Sequence, residues 1–270
     1  MITVKVGGDM VKKGLDPSFL LDLKELAERD RVVIVHGGGD IVTEIAEKLG
    51  KPQVFVKSPS GITSRYTDRE TVEIYTMVMS GMINSKLVAE LRRAGLNAVG
   101  LSGIDGALIR ARRKKRIIIV DERGRRRIID GGFTGRIVEV NVHLLELLIE
   151  GGYIPVVSPI AIGEENEFLN VDSDRAAANV AAQLKAEKII FLTDVEGLML
   201  EGRLVKKLDL SEAESLLGKV GAGMDKKLLA SVEAIKGGVK EAVITSGFID
   251  KPLTKAIKHR VGTVITADQS

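Results

Sequence analysis

The sequence has no cysteine, which excludes disulfides, a thiolate nucleophile and a zinc–thiolate site. Its three histidines, His36, His143 and His259, are scattered and show no ligand spacing. No apolar run reaches the roughly 20 residues of a membrane span, because charge interrupts each one first. The N-terminus reads directly into a strand, with no basic segment followed by an apolar one, so a cytoplasmic enzyme is expected. GxxxxGK[ST] does not occur, which excludes a P-loop enzyme. No GxGxxG follows the first apolar strand, which disfavours a dinucleotide fold.

What is present is a 270-residue chain, 44% hydrophobic and 29% charged, enough for one large domain or two intimate lobes around a sizeable core. Many Lys, Arg and Glu with no Cys suggest a thermophile. The net charge of +3 is unevenly spread: Arg110 to Arg127 holds ten basic and two acidic residues, so the remainder is net acidic.

Short apolar runs alternate with helical periodicity. Ile2–Val6, Val32–Val35, Val99–Leu101, Ile154–Val157, Lys188–Leu192, Glu241–Thr245 and Val261–Thr266 read as strands. Ser18–Arg29, the stretch from Ile41 to Leu49, Asp68–Arg93, Asn141–Glu150, Asp172–Leu184, Ser211–Leu217, Met224–Ile235 and Pro252–Lys258 read as helices. Ile117–Val120 and Arg126–Ile129 flank Asp121-Glu122-Arg123-Gly124 as a β-hairpin. The alternation predicts an α/β protein, a three-layer α/β/α sandwich on a central, mainly parallel sheet. No low-complexity linker divides it. Two lobes are expected within one continuous unit, residues 1–175 and 176–270, meeting near Asp174–Val180.

Four glycine-containing loops follow apolar strands: Lys5-Val6-Gly7-Gly8, His36-Gly37-Gly38-Gly39, Thr193-Asp194-Val195-Glu196-Gly197 and Thr245-Ser246-Gly247. A single such loop merely turns the chain as often as not. Four at the carboxyl ends of strands favour a phosphate-rich ligand, because glycine lets several backbone N–H groups approach an anion.

In their order, these motifs resemble the amino-acid kinase family. The first two loops are similar to its lysine-glycine and second glycine loops. Asn170-Val171-Asp172-Ser173-Asp174 before an Ala-rich helix resembles its N-x-D/N-x-D motif. Leu192–Leu198 resembles its nucleotide-side loop, and Gly223-Met224-Asp225-Lys226-Lys227 its G-M-x-x-K motif. The resemblance spans nearly the whole chain. It implies an ATP-dependent transfer to a carboxylate, in which positioning and charge neutralisation carry most of the catalysis. Lys5 and Lys227 would neutralise the transferring phosphoryl group, and Asp174 would orient both. Gly38, Gly39, Arg65 and Asn170 would hold the acceptor. Gly7, Gly8, Thr193, Asp194 and Gly197 would face the nucleotide. Mg²⁺ would bridge phosphates, with no protein metal site. His36 reads as structural.

Within the family, Thr67-Asp68-Arg69-Glu70-Thr71 and the preceding arginine fit acetylglutamate kinases. The run Ser60–Glu70 is most similar to the branch that acts on glutamate or α-aminoadipate attached to the acidic amino-group carrier protein LysW, in lysine and sometimes arginine biosynthesis. A free acylated amino acid needs one carboxylate clamp, whereas an acidic carrier is steered by a basic rim. Arg110, Arg112, Arg113, Lys114, Lys115, Arg125 and Arg126, read as the edges and flanks of the hairpin, would form that rim. A solvated surface hairpin is the plainer reading, and free acetylglutamate the alternative acceptor. A catalytically dead sensor on the same fold is disfavoured by the retained Lys5, Asp174 and Lys227. A nucleic-acid partner is disfavoured because the basic block lacks interleaved aromatics. The apolar stripe Val72, Tyr75, Met79 and Ile83, with Met77, Val78 and Met82 beside it, suggests a homodimer contact. The absence of an added N-terminal helix suggests no arginine-inhibited hexamer.

Overall fold

β-Branched runs become strands whose residues are buried throughout: Ile2–Val6, Val32–His36 and Ile154–Ser158 have no exposed position. Such strands are stable only when covered on both faces. The computed structural model describes residues 1–267 and places them in an eight-stranded sheet. Its order is Lys207–Asp209, Thr263–Thr266, Glu241–Ser246, Lys188–Thr193, Ile2–Val6, Val32–His36, Ile154–Ser158, Ala98–Ser102. From Glu241–Ser246 to Ala98–Ser102 every neighbouring pair is parallel. Thr263–Thr266 turns antiparallel to Glu241–Ser246 and carries Lys207–Asp209 beside it.

Helices pack on both faces, giving two apolar clusters. One contains Ala176, Ala177, Val180, Phe191 and Leu228; the other contains Phe19, Leu23, Met79, Leu87 and Leu253. The Ala-rich Ser173–Gln183 helix can lie close to the sheet because its buried side chains are mostly single methyl groups. Asp172 fixes its start by accepting hydrogen bonds from the Asp174 and Arg175 amides at 3.0 and 3.1 Å.

The long helix expected over Asp68–Arg93 is one continuous rod in three parts: α over Arg69–Thr76, π over Met77–Asn84, and α over Ser85–Arg93. A π segment inserts register into a helix. Here the segment contains Met79 and Ile83, which press on Gly38 of the second glycine loop. It ends at Asn84, whose amide donates to Val156 O at 2.9 Å. The stripe Val72, Tyr75, Met79 and Ile83 is buried within the chain itself, as is Val78. Only Met77 and Met82 remain outside, 57% and 43% exposed.

Two four-stranded sheets cap the carboxyl side. Thr63–Tyr66, Val54–Lys57, Arg116–Val120 and Arg126–Asp130 form the first; Phe168–Asn170, Ile160–Ile162, Ile109–Arg113 and Gly135–Val140 form the second. The hairpin appears where expected, with Ile118 opposite Ile128. The expected extension of that hairpin through Arg110, Arg112 and Arg113 is corrected. Ile109–Arg113 belongs to the other sheet, paired with Gly135–Val140. Ile109 and Ala111 point into the core between exposed Arg110 and Arg112, which is the alternation of a half-buried strand.

Candidate active site

The first and second strands run side by side, Val6 opposite His36, and deliver both glycine loops to the same edge of the sheet. The Gly37 amide donates to Val6 O at 2.8 Å, locking the loops together. A Cβ on Gly37 would sit 3.1 Å from the Gly8 amide nitrogen and 3.4 Å from Lys5 Nζ. The absence of side chains here therefore keeps amides and an ammonium close around a common space. Gly38 has φ +144°, and a Cβ there would lie 2.5 Å from Ile83, so both backbone and space require glycine.

Lys5 ends inside this space. Its Nζ lies 2.8 Å from Asp174 Oδ1, while Lys227 Nζ lies 3.6 Å from Asp174 Oδ2. Lys5 and Asp174 are each only 4% exposed. Burial alone would raise the Asp174 carboxyl, but Lys5 and Lys227 outweigh it and hold it below the ordinary carboxylate range. Lys226 instead reaches Asp172, at 4.0 Å. Asp225 is buried and accepts from the Gly218 amide at 3.0 Å, tying the start of the Ala222–Lys236 helix to the loop before it.

His36 is fully buried beside Lys5. Burial and that ammonium lower it to about 4 against a hydrogen-bond contact with Gly37 O, so it is neutral near pH 7. It cannot serve there as a proton-donating imidazolium.

The space opens into a cavity of about 1010 Å³. Arg65, Gly38, Gly39 and Asn170 all line it. Arg65 Nη2 donates to Gly39 O at 2.7 Å and Thr43 Oγ1 at 3.0 Å, Nη1 donates to Gln53, and the guanidinium stacks 5.0 Å from the Phe55 ring. Asn170 Nδ2 donates to Thr67 Oγ1 at 2.9 Å. Lys5, Gly8, Asp174 and Lys227 line the same cavity. Gly7, Thr193, Asp194 and Gly197 do not. They form the adjoining edge, where Gly7 abuts Leu192 O and Thr193 Oγ1 donates to Asp194 at 3.0 Å.

Beyond Asn170 the cavity continues between the Gly135–Val140 strand and the Ser173–Gln183 helix, past Lys114, Arg136 and Arg175. Lys114 is lowered by burial and by Arg175 and Arg136 nearby. Arg175 is held by Glu233 through a two-pronged pair at 2.8 and 2.5 Å. The basic block is therefore not one surface. Lys114 faces the cavity, Arg113 stacks 4.2 Å over Phe133, and Arg110 and Arg112 pair with Glu139 and Glu164 at 3.7 and 3.3 Å. Arg125 and Arg126 stand exposed on the hairpin, and Lys115 leads into it.

Sequence reasoning missed Tyr75 and Phe55 as cavity walls. The signal for Tyr75 was its place on the apolar stripe, which reads as packing; only the tertiary structure turns its ring toward the cavity.

Among the described residues, no cluster of three or more His, Cys, Asp or Glu side chains could hold a metal ion, and no helix is long and apolar enough to cross a membrane.

A protein of Saccharolobus solfataricus named [LysW]-aminoadipate/[LysW]-glutamate kinase is 46% identical over 266 residues, 98% of this chain and 99% of that one. A Cenarchaeum symbiosum protein, given the same name provisionally, is 56% identical over 265 residues, again 98% and 99% of the two chains. Among solved structures, the smu.665 protein of Streptococcus mutans matches with TM-score 0.80 at 24% identity, covering 99% of this chain and 98% of that one. Carbamate kinase from Giardia lamblia bound to AMP-PNP matches with TM-score 0.70 at 16% identity and the same coverage. These two likenesses show the α/β fold. The family model described as amino acid kinase family matches residues 1–246. With two lysines on one buried aspartate between its glycine loops, this chain belongs to the amino acid kinase family.

Proposed function

We propose that this enzyme transfers the γ-phosphoryl group of ATP to the side-chain carboxylate of α-aminoadipate or glutamate carried on LysW, giving an acyl phosphate for lysine or arginine biosynthesis. The observation that carries the reading is the buried Lys5–Asp174–Lys227 cluster at the edge where both glycine loops end. An acceptor carboxylate oxygen bonds to the γ-phosphorus as the bond to ADP breaks. The acceptor is already ionised near pH 7, so no general base is required. That matches the neutral, buried His36. Two ammonium groups fixed by one carboxylate meet the charge on the transferring oxygens without reorganising.

In this reading, Arg65, Asn170, Gly38 and Gly39 take the acceptor, and Gly7, Gly8, Thr193, Asp194 and Gly197 take the nucleotide. The chain's residues fit Mg²⁺ as an ion arriving with the nucleotide, because Asp174, the carboxylate at the centre, is engaged by lysines. Such an ion supplies charge neutralisation through phosphate oxygens. Residues 1–175 would form the acceptor lobe and 176–270 the ATP lobe. The strand order supports this division: four strands before residue 176 occupy one side of the eight-stranded sheet and four after it the other.

The carrier-borne acceptor is supported by the names of the relatives and by the cavity's continuation past Lys114, Arg136 and Arg175, beyond what a free acyl amino acid needs. A basic rim that includes Arg125 and Arg126 would meet the acidic carrier. Exposed Met77 and Met82 support a homodimer contact through the π segment. A cytoplasmic, thermophilic setting fits the composition.

The test is a hydroxylamine-trapping assay with ATP and Mg²⁺. Acyl phosphate formed on carrier-borne glutamate or aminoadipate, with little on free N-acetylglutamate, supports the proposal. Efficient turnover of the free amino acid alone replaces the carrier with a small-molecule acceptor.

A further inference from the structure

Tyr75 is 6% exposed, yet it lines the main cavity. Its hydroxyl is not sealed within protein and makes no hydrogen bond to another described residue. A tyrosine buried to this degree normally satisfies its O–H, because an unmet polar group in the interior is costly. An unpartnered hydroxyl facing a cavity is instead placed for a ligand.

Its surroundings say which kind. Arg65 and Asp172 line the same cavity as Tyr75, and the charges of both act on the phenol. Burial raises the group, so the O–H stays protonated and available as an uncharged donor. Meanwhile Arg65 is largely committed. A guanidinium has five N–H donors. Both Nη2 donors are used by Gly39 O and Thr43, and one on Nη1 by Gln53. Only the Nε donor and one Nη1 donor remain, on a group already stacked against Phe55. A carboxylate offers about four lone-pair sites, so Arg65 alone leaves part of a bound anion unmet.

We propose that Tyr75 is the positioning and specificity-determining partner of Arg65, its hydroxyl donating a hydrogen bond to the non-reacting carboxylate of the acceptor. This rests on the phosphotransfer reading above. The contact is made in ground state and transition state alike, so it sets acceptor affinity rather than the rate of transfer. A buried donor also discriminates against an acceptor lacking the matching oxygen, since the hydroxyl is then left unpaired.

The test is Tyr75→Phe in the full chain, with steady-state kinetics on carrier-borne glutamate or aminoadipate and on the same carrier bearing the α-carboxamide. The acceptor KM should rise about 10-fold, with kcat and the KM for ATP within about twofold of wild type. The wild-type preference for carboxylate over carboxamide should shrink. The thermal midpoint should not fall, because no protein hydrogen bond is lost. An unchanged acceptor KM, in a variant beside an active wild type, overturns the assignment. So does a KM rise matched by loss of thermal stability and of ATP affinity, which marks a packing role. If wild type turns over none of these acceptors, the phosphotransfer reading itself fails and takes this assignment with it.

Discussion

Lys5 Nζ lies 2.8 Å from Asp174 Oδ1, and neither residue has more than 4% of its surface in solvent. The lysine comes from the first strand and the aspartate from the first turn of a helix that follows Asn170. Glycine at 37 keeps the ammonium reachable from the cavity despite its burial. The pair thus serves two ends: it neutralises a buried carboxylate, and it holds a cation where a phosphoryl group can be met.

These ends are separable by mutation. Lys5→Met leaves Asp174 buried with Lys227 at 3.6 Å as its nearest remaining lysine. We predict a loss of about 3–5 kcal/mol in urea denaturation, as for other broken buried pairs. Lys5→Met with Asp174→Asn should recover most of that stability. Turnover should stay down about 10³-fold in both. Recovery of activity with stability would mean that the pair is only structural.

Lys226 and Lys227 are adjacent, yet only Lys227 reaches Asp174. Lys227→Ala should lower kcat about 10²–10³-fold, whereas Lys226→Ala should change it by less than about tenfold, since its partner is Asp172 at 4.0 Å. Equal losses in the two variants would remove the distinction. The measurement is kcat at saturating ATP and acceptor, with circular dichroism to verify the fold.

Much of this centre was legible in the sequence because its residues sit beside local signals. Lys5 precedes a glycine at the end of an apolar strand. Asp174 lies two residues after a helix cap. What was not legible depends on distant partners. The strand Ile109–Arg113 reads as part of a basic run until Gly135–Val140 pairs with it and buries Ile109 and Ala111. Val54–Lys57 and Thr63–Tyr66 are four residues each, with only Arg65 buried and no clear alternation, yet they carry Phe55 and Arg65 to the cavity. Lys114 is indistinguishable in sequence from its basic neighbours. Its half-burial beside Arg136 and Arg175 exists only in three dimensions.

His36 gives a pH prediction of definite sign. Its folded value is about 4 against an ordinary 6.5, so the unfolded chain binds the extra proton over that interval. Stability from this group is complete above about pH 6.5 and is lost as pH falls toward 4. The loss should total about 3 kcal/mol for a gap of this size. His36→Gln should flatten that part of the profile relative to wild type. Urea midpoints at pH 7, 5.5 and 4.5 measure it. Parallel profiles for the two proteins would show that His36 is not desolvated in solution.

The hairpin tests the carrier directly. Arg125 and Arg126 are exposed and carry no ion pair among the described residues, whereas Arg127 on the same hairpin is paired with Asp121, and Arg110 and Arg112 with Glu139 and Glu164, so Arg125 and Arg126 are available to meet an acidic partner. Such contacts act through long-range charge, which about 0.15 M salt screens beyond about 8 Å. Arg125→Ser with Arg126→Ser should raise the KM for carrier-borne acceptor severalfold at low salt. It should also reduce the dependence of that KM on ionic strength. The KM for ATP should not move, because the hairpin lies outside the strand ends that bear the nucleotide-side loops. The same double variant assayed with a free acyl amino acid separates docking from catalysis: if turnover of the free acceptor falls equally, the arginines act on the active site rather than on the carrier.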